Sequence, residues 1–259
     1  MVKEQLSVFK IGGAVLEDAT MRANFINGFA AIPGKKILIH GGGRTASALS
    51  ERLGIATKMV EGRRVTDDDT IDIVTMVYGG LVNKRLIASL QAKGLNALGL
   101  TGADGNLITS KKRPEADGVD YGWVGDPVAV NAPLLYSLVE QGVVPVLAPL
   151  THDGAGNLYN TNADTIASTV AVALTEMYEV NLIMTFEMEG VMLDLNDPNS
   201  LLEEIRFSDY QTLKETGKIH GGMLPKLENA FKAIQDGVKV VRICKFDQIN
   251  TDHGSFLQI

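Results

Sequence analysis

Cysteine is nearly missing from this 259-residue chain: Cys244 is the only one. No disulfide can form within the chain, which fits a reducing compartment. Cys244 ends the apolar run 240–244, the setting of a buried strand thiol rather than a catalytic one. The four histidines are scattered, so with a single cysteine they make no zinc-type ligand cluster. Long apolar runs are also lacking. Nothing approaches the roughly 20 residues needed to cross a bilayer, and the first apolar stretch, 6–11, is short and interrupted by Lys10, unlike a signal peptide. The cytoplasm is the expected location. Basic runs stop at Lys111-Lys112-Arg113 and the net charge is −7, which excludes the basic face of a nucleic-acid binder. An anionic ligand must therefore be held by local features against an unfavourable overall field. Neither GxxxxGK[ST] nor GxGxxG occurs, so neither a P-loop nor a standard dinucleotide fold is supported.

What the chain does hold is an alternation of short apolar runs and helical patterns, with a hydrophobic fraction of 45%, enough for a sizeable core. Strands are expected over 6–11, 36–40, 96–100, 143–148, 181–185 and 239–243. Most are continuously apolar rather than alternating, as in a parallel sheet buried on both faces. Helices are expected over 18–31, 45–53, 67–93, 133–141, 163–176 and 223–236. Such alternation gives a doubly wound α/β sheet with helices on both faces. The Gly-, Asp- and Lys-rich piece 105–125 breaks the rhythm and predicts a β-hairpin or extended excursion. A division into lobes falls near 149–156, giving 1–150 and 151–259.

Three glycine clusters stand at strand-to-helix junctions: Gly12-Gly13, Gly41-Gly42-Gly43 and Gly221-Gly222. Gly-Gly can simply make a tight turn. It also lets backbone amides approach an anion, and a helix N-terminus adds partial positive charge. Three such turns in one parallel sheet would meet at its carboxyl edge, where open α/β sheets bind ligands. Lys10 sits two residues before Gly12, and Lys226 one turn into the helix behind Gly222. Both should project to that edge, where phosphoryl transfer needs positive charge. Asp164 admits two readings: with Thr161 it fits a helix-capping pattern, and as a carboxylate between two lysines it would keep both charged and aimed. Asn160 is a candidate donor to a substrate. Arg64 is the candidate grip for a substrate carboxylate, through bidentate geometry that lysine cannot offer. Arg63 is expected to point elsewhere, because neighbours on extended backbone alternate faces.

In their order, Lys10-Ile11-Gly12-Gly13, His40 to Gly43, Gly62 to Thr66, Gly102 to Gly105, Asn160 to Asp164 and Gly221 to Lys226 resemble the amino acid kinase family over nearly the whole chain. Within it, the likeness is to members that phosphorylate N-acetyl-L-glutamate. The resemblance implies a three-layer αβα sandwich with a central, mainly parallel sheet. It implies an N-terminal lobe, 1–150, for acyl-amino-acid binding and dimerisation, and a C-terminal lobe, 151–259, for ATP carried with Mg2+. Lys10 and Lys226 would stabilise the transferring phosphoryl group, with Asp164 orienting them. Gly42, Gly43, Arg64 and Asn160 would bind the acyl amino acid. Gly12 and Gly13 would donate amides to phosphate, and Glu187, Gly190 and Gly222 would contact the nucleotide. The implied reaction is attack of the γ-carboxylate on ATP, with no general base needed. The implied partner is a second copy in a homodimer. N-succinyl-L-glutamate is the alternative acceptor, and a ligand-binding sensor without catalysis is the alternative class. A pure binder has no use for Lys10, Asp164 and Lys226 together. The chain departs from the family pattern at Phe186 to Gly190, where an aspartate-containing turn is usual, and at Ala103, where lysine is common.

Arginine-inhibited members of this family carry an extra helix ahead of the first strand, whereas here five residues precede Leu6. Arginine at physiological concentration is accordingly expected to leave the activity of the purified protein unchanged in a steady-state assay.

Overall fold

Every apolar run read as a strand lies in one eight-stranded sheet of the computed structural model, which describes residues 3–60, 63–116, 118–194, 197–219 and 223–259. The chain opens with β1 (Gln5–Ile11), α1 (Gly13–Glu17), α2 (Ala19–Ala31), β2 (Lys35–His40), α3 (Gly43–Arg52) and the small hairpin β3 (Met59–Val60) and β4 (Arg63–Arg64). A long helical segment follows as α4 (Asp68–Val74), a π-helical stretch (Thr75–Val82) and α5 (Asn83–Gln91). Next come β5 (Ala97–Leu100), β6 (Ile108–Lys112), β7 (Gly125–Val130), α6 (Ala132–Glu140), β8 (Val144–Leu147), β9 (Leu150–His152), β10 (Leu158–Asn160) and α7 (Ala163–Ala173). The last part holds β11 (Glu179–Phe186), β12 (Glu204–Arg206), α8 (Phe207–Glu215), α9 (Met223–Gln235), β13 (Val240–Lys245) and β14 (Ser255–Gln258).

The large sheet runs β12-β14-β13-β11-β1-β2-β8-β5, parallel throughout except where β14 meets β13. Period-two alternation splits its side chains between two cores. Leu6 and Val8 of β1 face α6 to α9, together with Ile166, Leu227 and Phe231. Phe9 and Ile11 face the layer of α1 to α5, where Phe9 meets the edge of Phe29 at a ring distance of 5.2 Å. The result is the expected three-layer αβα sandwich. The excursion 105–125 contributes β6 and, at its end, β7, which pair antiparallel. With β9 and β10 they form a second, four-stranded sheet over the carboxyl edge of the first. Two details depart from the sequence reading. The single helix expected over 67–93 is interrupted by the π stretch Thr75–Val82, which contains the adjacent poor helix formers Gly79 and Gly80. The short strands β12 and β14 and the short helices α1 and α8 carry too few apolar residues to announce themselves. No helix among the described residues is long and apolar enough to cross a membrane.

A buried polar knot ties the layers together below the glycine turns. Asn83 of α5 donates through Nδ2 to His40 Nε2 of β2 at 3.1 Å and to the Val146 carbonyl of β8 at 3.0 Å. His40 Nδ1–H in turn donates to the Gly41 carbonyl at 2.8 Å. Burial holds His40 neutral, with its pKa lowered to about 4. A depressed histidine gives stability that is complete above the unfolded value of about 6.5 and is lost as pH falls toward the folded one. Going from pH 7 to pH 5 should therefore destabilise the wild type by about 2 kcal/mol more than His40→Asn. Urea unfolding at the two pH values measures this, and equal losses in both proteins would contradict it.

Candidate active site

Strand alternation decides where the first lysine points. Leu6 and Val8 face α7 and α9, so Lys10, next in the same phase, emerges on that face at the carboxyl end of β1. There its Nζ lies 2.8 Å from Asp164 Oδ1. Lys226, one turn into α9, places its Nζ 3.0 Å from the same oxygen. Three elements distant in sequence thus deliver two ammonium groups to one carboxylate oxygen, and the side chains of all three are at most 15% exposed. Burial opposes ionisation of Asp164, but the two ammonium groups outweigh it and hold the carboxyl well below the usual carboxylate range. Burial likewise pulls Lys226 down to about 8; Asp164 opposes that shift and Lys10 adds to it.

Asp164 is free for this role because it does not cap its helix. The cap of α7 is Asn162, whose Oδ1 accepts from the amides of Asp164 and Thr165 at 2.8 and 3.1 Å. Thr161, read from sequence as part of the cap, instead joins Thr151 through their hydroxyls at 2.8 Å.

Beside the lysines, two glycine turns stand back to back. A Cβ on Gly13 would come 3.6 Å from the Gly42 amide nitrogen and 3.8 Å from that of Gly43, so these backbone groups crowd into one small region. One expectation is corrected here. The Gly12 amide donates to the Thr185 carbonyl at 3.1 Å and is not available to a phosphate. The first turn can offer Gly13 instead. Gly222, with His220 and Gly221, lies outside the described residues.

The cleft of about 390 Å³ bordered by Lys10 and these turns continues to Arg64, Asn160, Tyr78 and Met59. Arg64 is buried and donates through Nη2 to the Gly43 carbonyl and Ser47 Oγ, both at 2.7 Å, and through Nη1 to Thr57 Oγ1 at 3.2 Å. These contacts, with the Tyr78 hydroxyl also against it, aim the guanidinium toward the cleft. Asn160 donates to Thr66 Oγ1 at 3.0 Å, while Thr66 donates to the Arg64 carbonyl at 3.3 Å. The acceptor-side residues therefore form one connected set. Arg63 is exposed yet borders the same cleft, contrary to the expectation that it points elsewhere; a two-residue strand at a hairpin leaves it at the rim.

A second cavity, about 570 Å³, adjoins the first and shares Phe186 with it. Its walls are largely apolar, with Met188, Val191, Ile219 and Met223. Gly190 borders it and is packed so closely that a Cβ would come 2.6 Å from Ser255 Oγ. Glu187 borders the first cleft and pairs with Arg44 at 3.6 Å. Among the described residues no group of three or more His, Cys, Asp or Glu side chains is arranged to hold a metal. Sequence reasoning missed Tyr78, whose ring would meet a Gly42 Cβ at 2.7 Å. It also missed Arg113, at the end of the only basic triplet it noted.

Comparison with known proteins bears on what this arrangement serves. The model of the amino acid kinase family matches residues 5–245. A protein of Parabacteroides distasonis described as acetylglutamate kinase is 55% identical over 252 residues, covering 97% of this chain and 98% of that one. Its counterpart in Bacteroides fragilis, described in the same words, is 53% identical over 254 residues, covering 98% and 97%. A crystal structure from Streptococcus mutans UA159 superposes with a TM-score of 0.82 at 29% identity, over 98% of each chain.

The carboxylate shared by two lysines makes a direct prediction. Lys226 should titrate near 8 in side-chain NMR of the wild type, and below that in Asp164→Asn, where two buried ammonium groups lose their counter-charge. A midpoint above 10 in either protein would contradict the geometry.

Proposed function

The chain belongs to the amino acid kinase family, and from that premise we propose how its cleft works. The reaction is transfer of the γ-phosphoryl group of ATP to the γ-carboxylate of N-acetyl-L-glutamate, a step of arginine biosynthesis. An oxygen of the γ-carboxylate attacks the γ-phosphorus as the bond to the β-phosphate oxygen breaks, giving an acyl phosphate and ADP. An ionised carboxylate carries no proton to remove, so catalysis consists of positioning and charge stabilisation.

One observation carries the assignment of roles: two buried ammonium groups meeting on Asp164 Oδ1 beside a pair of abutting glycine turns. Lys10 and Lys226 offset the negative charge that spreads over the transferring group, and Asp164 keeps both charged and in place. Gly13, Gly42 and Gly43 present amides to the phosphoryl and acceptor oxygens. The guanidinium of Arg64 suits the α-carboxylate of the acceptor, with Asn160 beside it. The neighbouring cavity, bordered by Phe186, Gly190 and Met223, suits the adenine base, with Glu187 at its entrance. These placements support an acceptor lobe over 1–150 and a nucleotide lobe over 151–259. The donor set fits magnesium that arrives on the nucleotide phosphates, since Asp164 is already engaged by two lysines. Bound there, magnesium would neutralise phosphate charge. Exposed Met76, Leu81 and Leu98 support a homodimer through the side of the molecule that carries the β5 edge. A cytoplasmic location follows from the metabolic role.

The reaction is tested by incubating the protein with Mg-ATP and N-acetyl-L-glutamate, L-glutamate or L-aspartate and trapping acyl phosphate as hydroxamate. Product with N-acetyl-L-glutamate is expected; none with any acceptor would leave a non-catalytic sensor. Lys226→Met should lower kcat about 100-fold or more while leaving the acceptor KM within about threefold, as for a contact that strengthens in the transition state. Parallel loss of both would deny Lys226 that role.

A further inference from the structure

One buried hydroxyl at the acceptor end of the cleft donates to no protein group among the described residues. It belongs to Tyr78, which is 4% exposed and borders the cleft with Gly42, Gly43 and Arg64. The edge of its ring stands against Gly42, where a Cβ would come 2.7 Å from Cδ1 and 3.0 Å from Cε1, and Val82 closes the same side at 3.6 Å. Ring and backbone therefore hold each other in place, and the hydroxyl is carried past Gly42 to the next residue. A Cβ on Gly43 would lie 3.9 Å from both the Tyr78 hydroxyl and Arg64 Nη2. Its chain neighbours aside, no other described side chain comes within 4 Å of that point. Tyrosine and arginine thus share one side of the acceptor turn.

A guanidinium has only N–H groups to offer, so toward Arg64 the tyrosine oxygen can only accept. Its own hydrogen is left to point elsewhere. Burial raises the Tyr78 pKa above the ordinary tyrosine value, against the opposing pull of Arg64, so the hydroxyl keeps that hydrogen at neutral pH. A buried donor beside a cation, at the wall of an open cleft, suits an anionic oxygen. Among the described residues the one acid bordering the cleft is Glu187, which is paired with Arg44. The oxygen must then come from a ligand, and the α-carboxylate assigned to Arg64 supplies two.

We propose that Tyr78 is a substrate-binding residue whose hydroxyl, seated between Arg64 and Gly43, donates a hydrogen bond to the α-carboxylate of the acceptor. The inference rests on the reading of the cleft as the site of an N-acetylglutamate kinase and adds a residue to it. It also gives the π-helical stretch Thr75–Val82 a role. That stretch lays Tyr78 and Val82 on Gly42, and the next residue, Asn83, holds His40 just below. Gly42 is then glycine because a side chain there would displace the ring. Donation from an O–H to a carboxylate is a charge-assisted bond, and a ligand without that carboxylate would leave both Tyr78 and Arg64 unpaired, which is how a polar site rejects a close analogue. The reacting γ-carboxylate is not touched, so Tyr78 governs affinity rather than turnover.

Tyr78→Phe keeps the ring against Gly42 and should unfold within about 4 °C of the wild type. In the hydroxamate assay its KM for N-acetyl-L-glutamate should rise about tenfold or more, the size of one lost charge-assisted hydrogen bond. Its kcat and its KM for ATP should stay within about threefold of the wild type. An unchanged acceptor KM would overturn the proposal. A second measurement separates contact from bracing. In protein isotope-labelled at the tyrosine ζ carbon, the Tyr78 NMR signal is the one missing from Tyr78→Phe. It should move when N-acetyl-L-glutamate is added without nucleotide and stay in place with Mg-ATP alone. A raised KM with an unmoved signal would overturn the contact and leave Tyr78 as a brace for Arg64. Absence of product with N-acetyl-L-glutamate in the wild type would instead overturn the kinase reading itself.

Discussion

Two ammonium groups share one carboxylate oxygen, and the layered architecture exists around that contact in a definite sense. Lys10 comes from the central strand, Asp164 from the helix over it and Lys226 from the next helix. Only a helix layer packed squarely on β1 brings the three together. Side by side in a site this dry, two lysines would repel and shed a proton. Asp164 prevents that at the expense of its own desolvation. The trio keeps a net charge of +1, the small surplus on which the proposed phosphoryl transfer would draw. Breaking one leg leaves a buried charge uncompensated, which is why the trio behaves as a unit.

Much of this was readable before any coordinates. The six strands read from the sequence declared themselves because most of their positions are apolar and buried. Lys10 and Lys226 could be nominated from their junctions with glycine turns and Asp164 from the segment that opens α7, and the structure brings both ammonium groups within 3.0 Å of Asp164 Oδ1. What stayed hidden depends on tertiary pairing. Short strands such as β14 take their register from their neighbours rather than from their own pattern. The competition between Thr161, Asn162 and Asp164 for the cap of α7 has three chemically plausible entrants, and only geometry selects Asn162. Tyr78 reaches the cleft from a π-helical stretch, a departure from the 3.6-residue period that no amphipathic pattern reveals. Arg113 looked like part of a solvated basic triplet until Asp126 and Tyr121 were seen to fix it.

The chain as a whole is acidic, yet its cleft is lined by cations. The contrast separates long-range from local electrostatics. Surface acids are screened within about 8 Å at physiological ionic strength, whereas Arg64 and Lys10 line a partly desolvated cleft where screening is weaker. An acidic exterior favours solubility and repels stray polyanions, and capture is left to groups that a ligand meets only after entering.

Phe186 gives the two cavities a common wall. Its carbonyl is anchored by the Phe246 amide at 3.0 Å, and its ring lies 5.8 Å from the Lys226 ammonium. A partition of this kind cannot be private to either tenant: whatever presses the ring from one side alters the room left on the other. Linkage then requires the influence to be mutual, with each substrate changing the other's affinity by the same factor. On the proposed placement of acceptor and nucleotide, synergy of whichever sign would pass through this one aromatic side chain.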